Sequence, residues 1–185
     1  MGPRTAAAIR MYVGILSFMA VPFFVVGTLL SLSRGTSFPA FLWIGAPPAA
    51  IMSVALGTVS LVVTRGKGPE ALRVRSSRVI EVAGPRSDVL RRTADAIASL
   101  SFPPLKVIVD PESGSVRATK GVSWRSWGEH VRATVESVDD RRQRVTLASR
   151  PSFPLTIADC GANFENVAAI ADTLTAPAED THTPA

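Results

Sequence analysis

The sequence predicts an α+β protein in two parts: a hairpin of two membrane helices, then a small domain with the element order β-α-β-β-β-β-α. Charge placement predicts the division, because residues 1–64 contain three arginines and no acidic residue, whereas every Asp and Glu lies from Glu70 onward. The apolar runs of the first part reach the length of membrane spans. From about Ser77 the pattern alternates as strands do, interrupted by two stretches with helical periodicity.

Two uncharged stretches predict the hairpin. The first holds 23 residues between Arg10 and Arg34, and the second holds 30 residues between Arg34 and Arg65; roughly 20 apolar residues cross the hydrocarbon core. Pro22 is expected to kink the first helix, and Pro47-Pro48 to begin the second. A signal peptide is the alternative, but its apolar region would be shorter and no second apolar stretch would follow it. The predicted bounds are 1–64 for the hairpin, with spans at about 11–33 and 46–63.

The basic residues predict the orientation of the hairpin. Arg4 and Arg10 precede the first span, only Arg34 lies between the spans, and five basic residues against one acid, Glu70, follow the second. The positive-inside rule then places both termini in the cytoplasm. Cys160 is the single cysteine, which excludes an intrachain disulfide and suits a reducing compartment.

The basic linker that follows the second span, residues 65–77, has a further interpretation. Lys and Arg clustered beside a membrane attract anionic headgroups, by about 1 kcal/mol per residue. The alternative is that these residues only set the topology. The candidate contacts to anionic lipid are Arg65, Lys67, Arg73, Arg75 and Arg78.

The soluble domain is predicted over residues 78–175. Strand patterns alternate with turn signals such as Gly84-Pro85, and two amphipathic helices have Ser87 and Asn163 as expected N-caps. An antiparallel sheet with both helices on one face is the natural packing. Residues 176–185 are polar and are expected to be disordered. The predicted strands are 78–83, 105–110, 115–120, 129–138 and 144–149, and the helices are 88–100 and 163–174.

Two short stretches carry a family resemblance. Residues 123–129 read SWRSWGE, and residues 159–163 read DCGAN, with Asn166 following. With these motifs the domain resembles a family of uncharacterised bacterial proteins, many of them membrane-anchored, although Cys160 stands where that family has an aromatic residue. The resemblance implies a bacterial inner (plasma) membrane protein and no established activity. The element order is also similar to helix-grip and TBP-like folds, which mostly bind ligands or proteins.

The motif residues have two interpretations. In the structural one, the tryptophans cap the core and the polar residues satisfy turn and helix-start backbone groups. In the binding one, the first motif is a docking surface, since Trp and Arg are common anchors of interfaces. The candidate partner surface is Trp124, Arg125, Trp127 and Glu129; the structural set is Ser123, Ser126, Gly128, Asp159, Gly161, Asn163 and Asn166.

The chemistry of the chain favours binding over catalysis. His130 near serines suggests a triad only by residue type, and a triad is recognised by geometry. One cysteine and two distant histidines have no zinc spacing, so no metal or cofactor is expected. The open face of the sheet is expected to be solvated or to dock a protein. It lacks the interleaved aromatic and basic residues of single-stranded nucleic-acid binders. Its predicted residues are Arg117, Thr119, Arg132, Thr134, Glu136 and Thr146.

The sequence therefore predicts a non-enzymatic membrane protein whose cytoplasmic domain is a protein-interaction or accessory module. The expected partners are the bilayer, with its anionic headgroups, and an unidentified protein, but no nucleic acid. The alternative is a membrane-tethered module that binds lipid or a small ligand. An enzyme of unknown reaction is the third hypothesis, and the oligomeric state stays open.

Overall fold

The computed structural model describes residues 2–35, 38–123, 125–139 and 141–176, with side chains omitted for 38–45. Its α+β class and its element order agree with the prediction. A single 3₁₀ turn at Pro69–Leu72 joins the hairpin to the domain. The elements are α1 (Pro3–Arg34), α2 (Phe38–Val63), β1 (Ser76–Ala83), α3 (Arg86–Ala98), β2 (Lys106–Asp110), β3 (Ser115–Lys120), β4 (Glu129–Ser137), β5 (Arg142–Pro151) and α4 (Ala162–Thr175).

Both helices of the hairpin are longer than the predicted spans. α1 has 32 residues and runs through Pro22, so at 1.5 Å per residue it is about 48 Å long, against a hydrocarbon core of about 30 Å. The prediction that Pro47-Pro48 begins the second helix is wrong, because both prolines lie inside α2. An apolar environment tolerates proline inside a helix where neighbouring groups satisfy the freed carbonyls. α1 and residues 46–63 of α2 are each long and apolar enough to cross a membrane.

A stripe of small residues runs along the buried side of α2 to the residue just after it, facing α1 at its middle and the domain at its end. Its members recur every three or four residues and are all buried, and at the middle of the stripe the backbone of Gly57 meets the ring of Tyr12. The Tyr12 hydroxyl also lies 3.2 Å from Oγ1 of Thr58. Small residues allow such close approach of membrane helices. The stripe is Ala49, Ser53, Gly57, Ser60 and Thr64.

The domain is a five-stranded antiparallel sheet in the order β1-β5-β4-β3-β2. α3 and α4 cover one face, and alternate strand residues such as Val116, Val131 and Val145 form the core with them. Side chains of the sheet and of α4 pack tightly in the space between them, since none of five central core residues has any exposed surface. These residues are Val116, Ala133, Val145, Leu147 and Ile170.

Two predicted N-caps are wrong. α3 begins after Pro85, whose extended backbone accepts from the amide of Val89, so that Ser87 lies inside the helix. α4 begins after Gly161, which has φ +76°. Asn163 is not the cap, because its own backbone amide donates to the Asp159 carboxylate at 2.8 Å. Residues 177–185, most of the expected tail, lie outside the described residues.

Helix packing in the hairpin can be tested by adding one methyl group. Gly57→Ala places a Cβ against the Tyr12 ring, whereas Gly14→Ala places one where no other atom lies within 4 Å. We expect Gly57→Ala to cost about 1–3 kcal/mol, as overpacking does, and Gly14→Ala to cost nothing. Thermal unfolding of the full chain in detergent micelles measures both; equal midpoints for the two variants would contradict this packing.

Candidate functional site: the motif junction and the open sheet face

The two sequence motifs meet in space, although 29 residues separate them along the chain. The first lies in the connection from β3 to β4, and the second opens α4. Arg125 joins them: its guanidinium donates to Oε2 of Glu165 at 2.6 Å and to the carbonyl of Cys160 at 2.6 Å. We call the polar cluster that surrounds this contact the motif junction. Its members are Lys120, Arg125, Ser126, Glu129, Ser149, Asp159, Asn163, Glu165 and Asn166.

A buried lysine lies at the centre of the motif junction. The side chain of Lys120 is only 8% exposed; it donates to Oδ1 of Asn166 at 2.7 Å and lies 3.8 Å from the carboxylate of Glu129. Ser126 donates its hydroxyl to Glu129. Burial lowers the pKa of Lys120, although the Glu129 charge opposes this. A buried charge is tolerated only when it is paired and hydrogen-bonded, so this cation requires its partners.

Hydrogen bonds extend the junction from the sheet to α4. Asn166 donates to the Ser149 hydroxyl at 3.3 Å, and Ser149 donates to Oδ1 of Asn163 at 2.6 Å. Asn163 donates through Nδ2 to Asp159 at 2.7 Å and to the carbonyl of Val74 at 2.9 Å. β3, β5, α4 and the linker therefore share one polar network.

Asp159 caps the start of α4. Its carboxylate accepts from the amides of Gly161, at 3.2 Å, and Asn163, at 2.8 Å. Burial raises the pKa of the Asp159 carboxyl above its ordinary value, against the lowering effect of these hydrogen bonds. Such capping is structural chemistry, and the second motif therefore forms the helix start that the structural interpretation predicts.

The junction also fastens the domain to the hairpin. Lys67, in the linker just after α2, pairs with Glu165, while Oγ of Ser60 in α2 lies 3.7 Å from Sγ of Cys160. Burial disfavours the charged Glu165, yet hydrogen bonds from Arg125 and Lys67 outweigh it and hold the pKa of this carboxyl below its ordinary value. The carboxylate of Glu165 is thus shared by the loop and the hairpin.

Gly128 and the two motif serines shape the turn of the first motif. Gly128 has φ +87°, and a Cβ there would lie 2.7 Å from the carbonyl oxygen of Lys120. The Ser123 hydroxyl accepts from the amides of Arg125 and Ser126, both at 3.2 Å. Only glycine meets both constraints at position 128 without strain. These contacts favour the structural interpretation for Ser123, Ser126 and Gly128.

The four predicted partner-surface residues do not form one surface. Trp124 lies outside the described residues. Glu129 is 3% exposed, so its expected place at the rim of a contact site is wrong, and Arg125 is turned inward onto Glu165. Trp127 is 69% exposed. Of the four, the described part of the chain therefore presents Trp127 outward and buries its two charged neighbours.

Strand parity could have revealed the buried charges. Val131, Ala133 and Val135 all point into the core, and Glu129 has the same parity. Lys120 likewise has the parity of the buried residues Val116 and Ala118. Sequence reasoning passed over this signal because a charged residue at a strand end is normally solvated.

The basic linker residues divide into two groups. Arg65, Arg73 and Arg75 are exposed. Lys67 is half-buried in its ion pair, and Arg78 extends toward α4, 3.9 Å from Asp172. Lys67 is therefore engaged within the protein, whereas Arg78 stays exposed beside its distant partner, and the predicted contact of these residues with anionic lipid stays a prediction.

A crevice of about 750 Å³ lies where α1 meets the linker. Apolar side chains, among them Met11 and Leu72, form its walls, and Glu70 is its one acidic residue. We call it the seam crevice. The basic residues that line it are Arg10, Arg73 and Arg75.

The uncovered face of the sheet has a basic groove near the N-terminal end of β4. Arg117 and Arg132 are direct cross-strand neighbours, and Arg150 pairs in register with His130. With Arg75 these side chains line a groove of about 640 Å³, and none of the residues that line it is acidic. The predicted face residues do point outward. Arg117, Thr119, Arg132, Glu136 and Thr146 are exposed, and Thr134 is half-buried.

The structure offers His130 no catalytic partner within the described residues. Its Nδ1 lies 3.2 Å from Oγ1 of Thr119 on the open face, away from the junction serines. No group of three or more His, Cys, Asp or Glu among the described residues is placed to hold a metal ion. The geometry gives no support to the triad hypothesis.

Comparisons with known proteins give two partial likenesses of fold. No family model and no curated protein matches the chain. The di-domain ARO/CYC protein BexL, from the BE-7585A biosynthetic pathway, matches with a TM-score of 0.42 at 16% identity, over 54% of this chain and 45% of that protein. A Thermobifida fusca protein solved by NMR in solution matches with a TM-score of 0.35 at 16% identity, over 55% of this chain and 85% of its own. The chain thus spans less than half of BexL.

The requirement of Lys120 for its partners can be tested with a double-mutant cycle. Lys120→Met leaves Glu129 buried without its cation, and we expect a loss of about 3–5 kcal/mol. Lys120→Met combined with Glu129→Gln should lose less than the two single variants together, because the second change removes the stranded charge. Urea unfolding of the full chain in micelles measures the cycle. The control, Arg91→Met, breaks the exposed pair with Asp88 and should change little; strict additivity at Lys120 and Glu129 would refute the buried pair.

Proposed function

We propose that this chain is a two-pass bacterial inner-membrane protein whose cytoplasmic α+β domain is a non-enzymatic interaction module. The two apolar helices cross the bilayer with both termini in the cytoplasm, and the domain has the character of a helix-grip or TBP-like fold. Its open sheet face binds an acidic segment of a partner protein. The observation that carries the proposal is the cross-strand pair of arginines in the uncovered basic groove.

Charge on the open sheet face is balanced at one end only. At the far end, Glu81 lies within 4.0 Å of both Arg142 and Arg144. At the groove, Arg117 and Arg132 face each other, and neither forms a close ion pair among the described residues, although the Arg117 charge contributes to lowering the pKa of the Asp110 carboxyl. Like charges directly opposite in a sheet are destabilising. An acidic ligand would remove this repulsion, which is why the pair favours binding.

The groove fits a peptide better than a nucleic acid or a compact ligand. Its lining residues come from all five strands, so the groove crosses the sheet. An extended acidic segment laid across the strands could place carboxylates over Arg132 and Arg150. Arginine forks bind carboxylates in a bidentate manner. No Phe, Tyr or Trp lines the groove, so it lacks the large stacking platforms that single-stranded nucleic acids use.

A second candidate function, binding of anionic lipid, is favoured by the seam crevice. Its arginines lie beside the ends of the membrane helices, and its apolar walls continue along α1 toward the span. Headgroup phosphate would meet Arg10 and Arg73, while an acyl chain would lie against Met11. The filled core between sheet and helices argues against a ligand cavity inside the domain.

One experiment separates the two candidates. The full chain is placed in nanodiscs of uncharged phosphatidylcholine, and binding of a glutamate-rich decapeptide is measured for wild type, for Arg117→Gln/Arg132→Gln and for Arg10→Gln/Arg73→Gln. We expect the sheet-face variant to bind about tenfold more weakly, the loss of about 1.4 kcal/mol, and the seam variant to bind as wild type does. Retention of phosphatidylglycerol during purification is measured on the same three proteins.

Each outcome of this experiment decides between the candidates. Equal peptide affinity in all three proteins would refute the sheet-face proposal. Loss of retained phosphatidylglycerol in the seam variant alone would establish the lipid candidate. Loss in the sheet-face variant alone would assign the groove to lipid in place of protein. Peptide binding should also weaken as salt rises, since the charges are exposed.

A further inference from the structure

We propose that an apolar ridge on the domain inserts into the headgroup–acyl boundary of the bilayer, beside the hairpin. The ridge lies on the loop from β3 to β4 and on the segment from β5 to α4. The inference rests on the proposed membrane crossing of α1 and α2, but concerns a separate surface. The ridge consists of Val122, Trp127, Phe153 and Leu155.

Every member of the ridge is exposed although each is apolar. The exposed fractions are 71% for Val122, 69% for Trp127, 48% for Phe153 and 58% for Leu155. None belongs to the hydrophobic core of the domain. A contiguous patch of large apolar side chains on a surface marks a contact with a membrane or a protein.

The position of the ridge selects the membrane. A crevice of about 350 Å³ is lined by all four ridge residues together with Phe18 and Met19 of α1 and Leu56 and Val59 of α2. Leu56 lies seven residues before the end of α2 at Val63, about 10 Å along the helix axis. Interfacial segments bury their apolar faces about 5–10 Å deep. The ridge therefore lies at the depth where a membrane would surround it.

The charges of the two loops support insertion. Residues 152–158 contain no charged residue, and Arg125 is the one charged residue of 121–128. Arg125 lines the same crevice as the ridge, but its guanidinium is bound to Glu165 and to the carbonyl of Cys160. The one charge beside the ridge is therefore paired within the protein. Tryptophan is enriched at this depth, the interface between membrane and water.

Backbone hydrogen bonds within the loops also suit an interfacial site. The amide of Ser123 donates to the carbonyl of Ser126 at 2.9 Å, and that of Ser152 donates to Gly128 at 2.9 Å. The amide of Thr156 donates to Phe153 at 3.1 Å. Unsatisfied backbone groups are costly in contact with lipid. Because these turns bond to themselves and to each other, they can enter the boundary without breaking secondary structure.

Fluorescence of Trp127 tests the insertion in the full chain. The double variant Trp43→Phe/Trp124→Phe leaves Trp127 as the sole tryptophan. It is placed in nanodiscs whose lipids are brominated either near the carbonyl end or near the methyl end of the acyl chains. We expect Trp127 to lose most of its fluorescence with bromine near the carbonyl end. The control carries Trp43→Phe, Trp124→Phe, Trp127→Phe and Val138→Trp, which moves the tryptophan to the opposite end of β4, and should lose none.

The outcomes separate this inference from the proposed function. Release of the wild-type chain from membranes by alkaline carbonate would overturn the membrane crossing itself. Retention of the chain with Trp127 quenched no more than the control would overturn insertion alone. If the single-tryptophan variant fails to fold, a spin label on Phe153→Cys/Cys160→Ser answers the same question. Greater accessibility to oxygen than to a water-soluble nickel complex supports insertion, and the reverse refutes it.

Discussion

The bond between Arg125 and Glu165 is the contact on which the rest of this structure depends. It ties the loop after β3 to α4, and because Glu165 also pairs with Lys67, the same carboxylate ties both to the linker that follows α2. The contact is partly withdrawn from water, so it is screened less by salt than a surface pair would be. Lys120 and Asp159 lie behind it with their own hydrogen bonds. If the loop, α4 or the linker moved away from this contact, a buried charge would lose its partner.

The motif junction fixes the orientation of the domain relative to the hairpin, and both proposals follow from that orientation. The loop that carries Arg125 inward turns Trp127 outward, toward the side where Leu56 and Phe18 lie on the helices. The sheet face that carries Arg117 and Arg132 is left uncovered by the helices of the domain. A membrane surface and a soluble partner can therefore be contacted by different faces of one small domain, without a hinge between them.

The periodicity of the sequence predicts much of the architecture, but it predicts less of the candidate site. The strand Ser115–Lys120 has the predicted bounds because polar and apolar residues alternate along it from Ser115 to Thr119. The predicted helix starts differ from the observed ones, since α3 begins after Pro85 without a side-chain cap. α4 begins after Gly161, and the carboxylate that accepts its first amides comes from Asp159 rather than from Asn163. The meeting of the two motifs could not be predicted from one sequence, because it depends on the register of β4 against β5. Strand parity indicates that Glu129 points inward, but a carboxylate at a strand end is normally solvated, which favours the wrong prediction.

Docking of the domain on the hairpin is the central claim, and the native cysteine allows a direct measurement. Ser60→Cys places a second thiol on α2 close to Cys160, whose sulfur lies 3.7 Å from the Ser60 hydroxyl oxygen. After mild oxidation of native membranes, maleimide–polyethylene glycol added under denaturing conditions counts the free thiols. We predict none in Ser60→Cys, because an intramolecular disulfide forms, and two in Ser53→Cys, which lies two helical turns away on the same buried stripe. Two free thiols in both variants would contradict the docked arrangement.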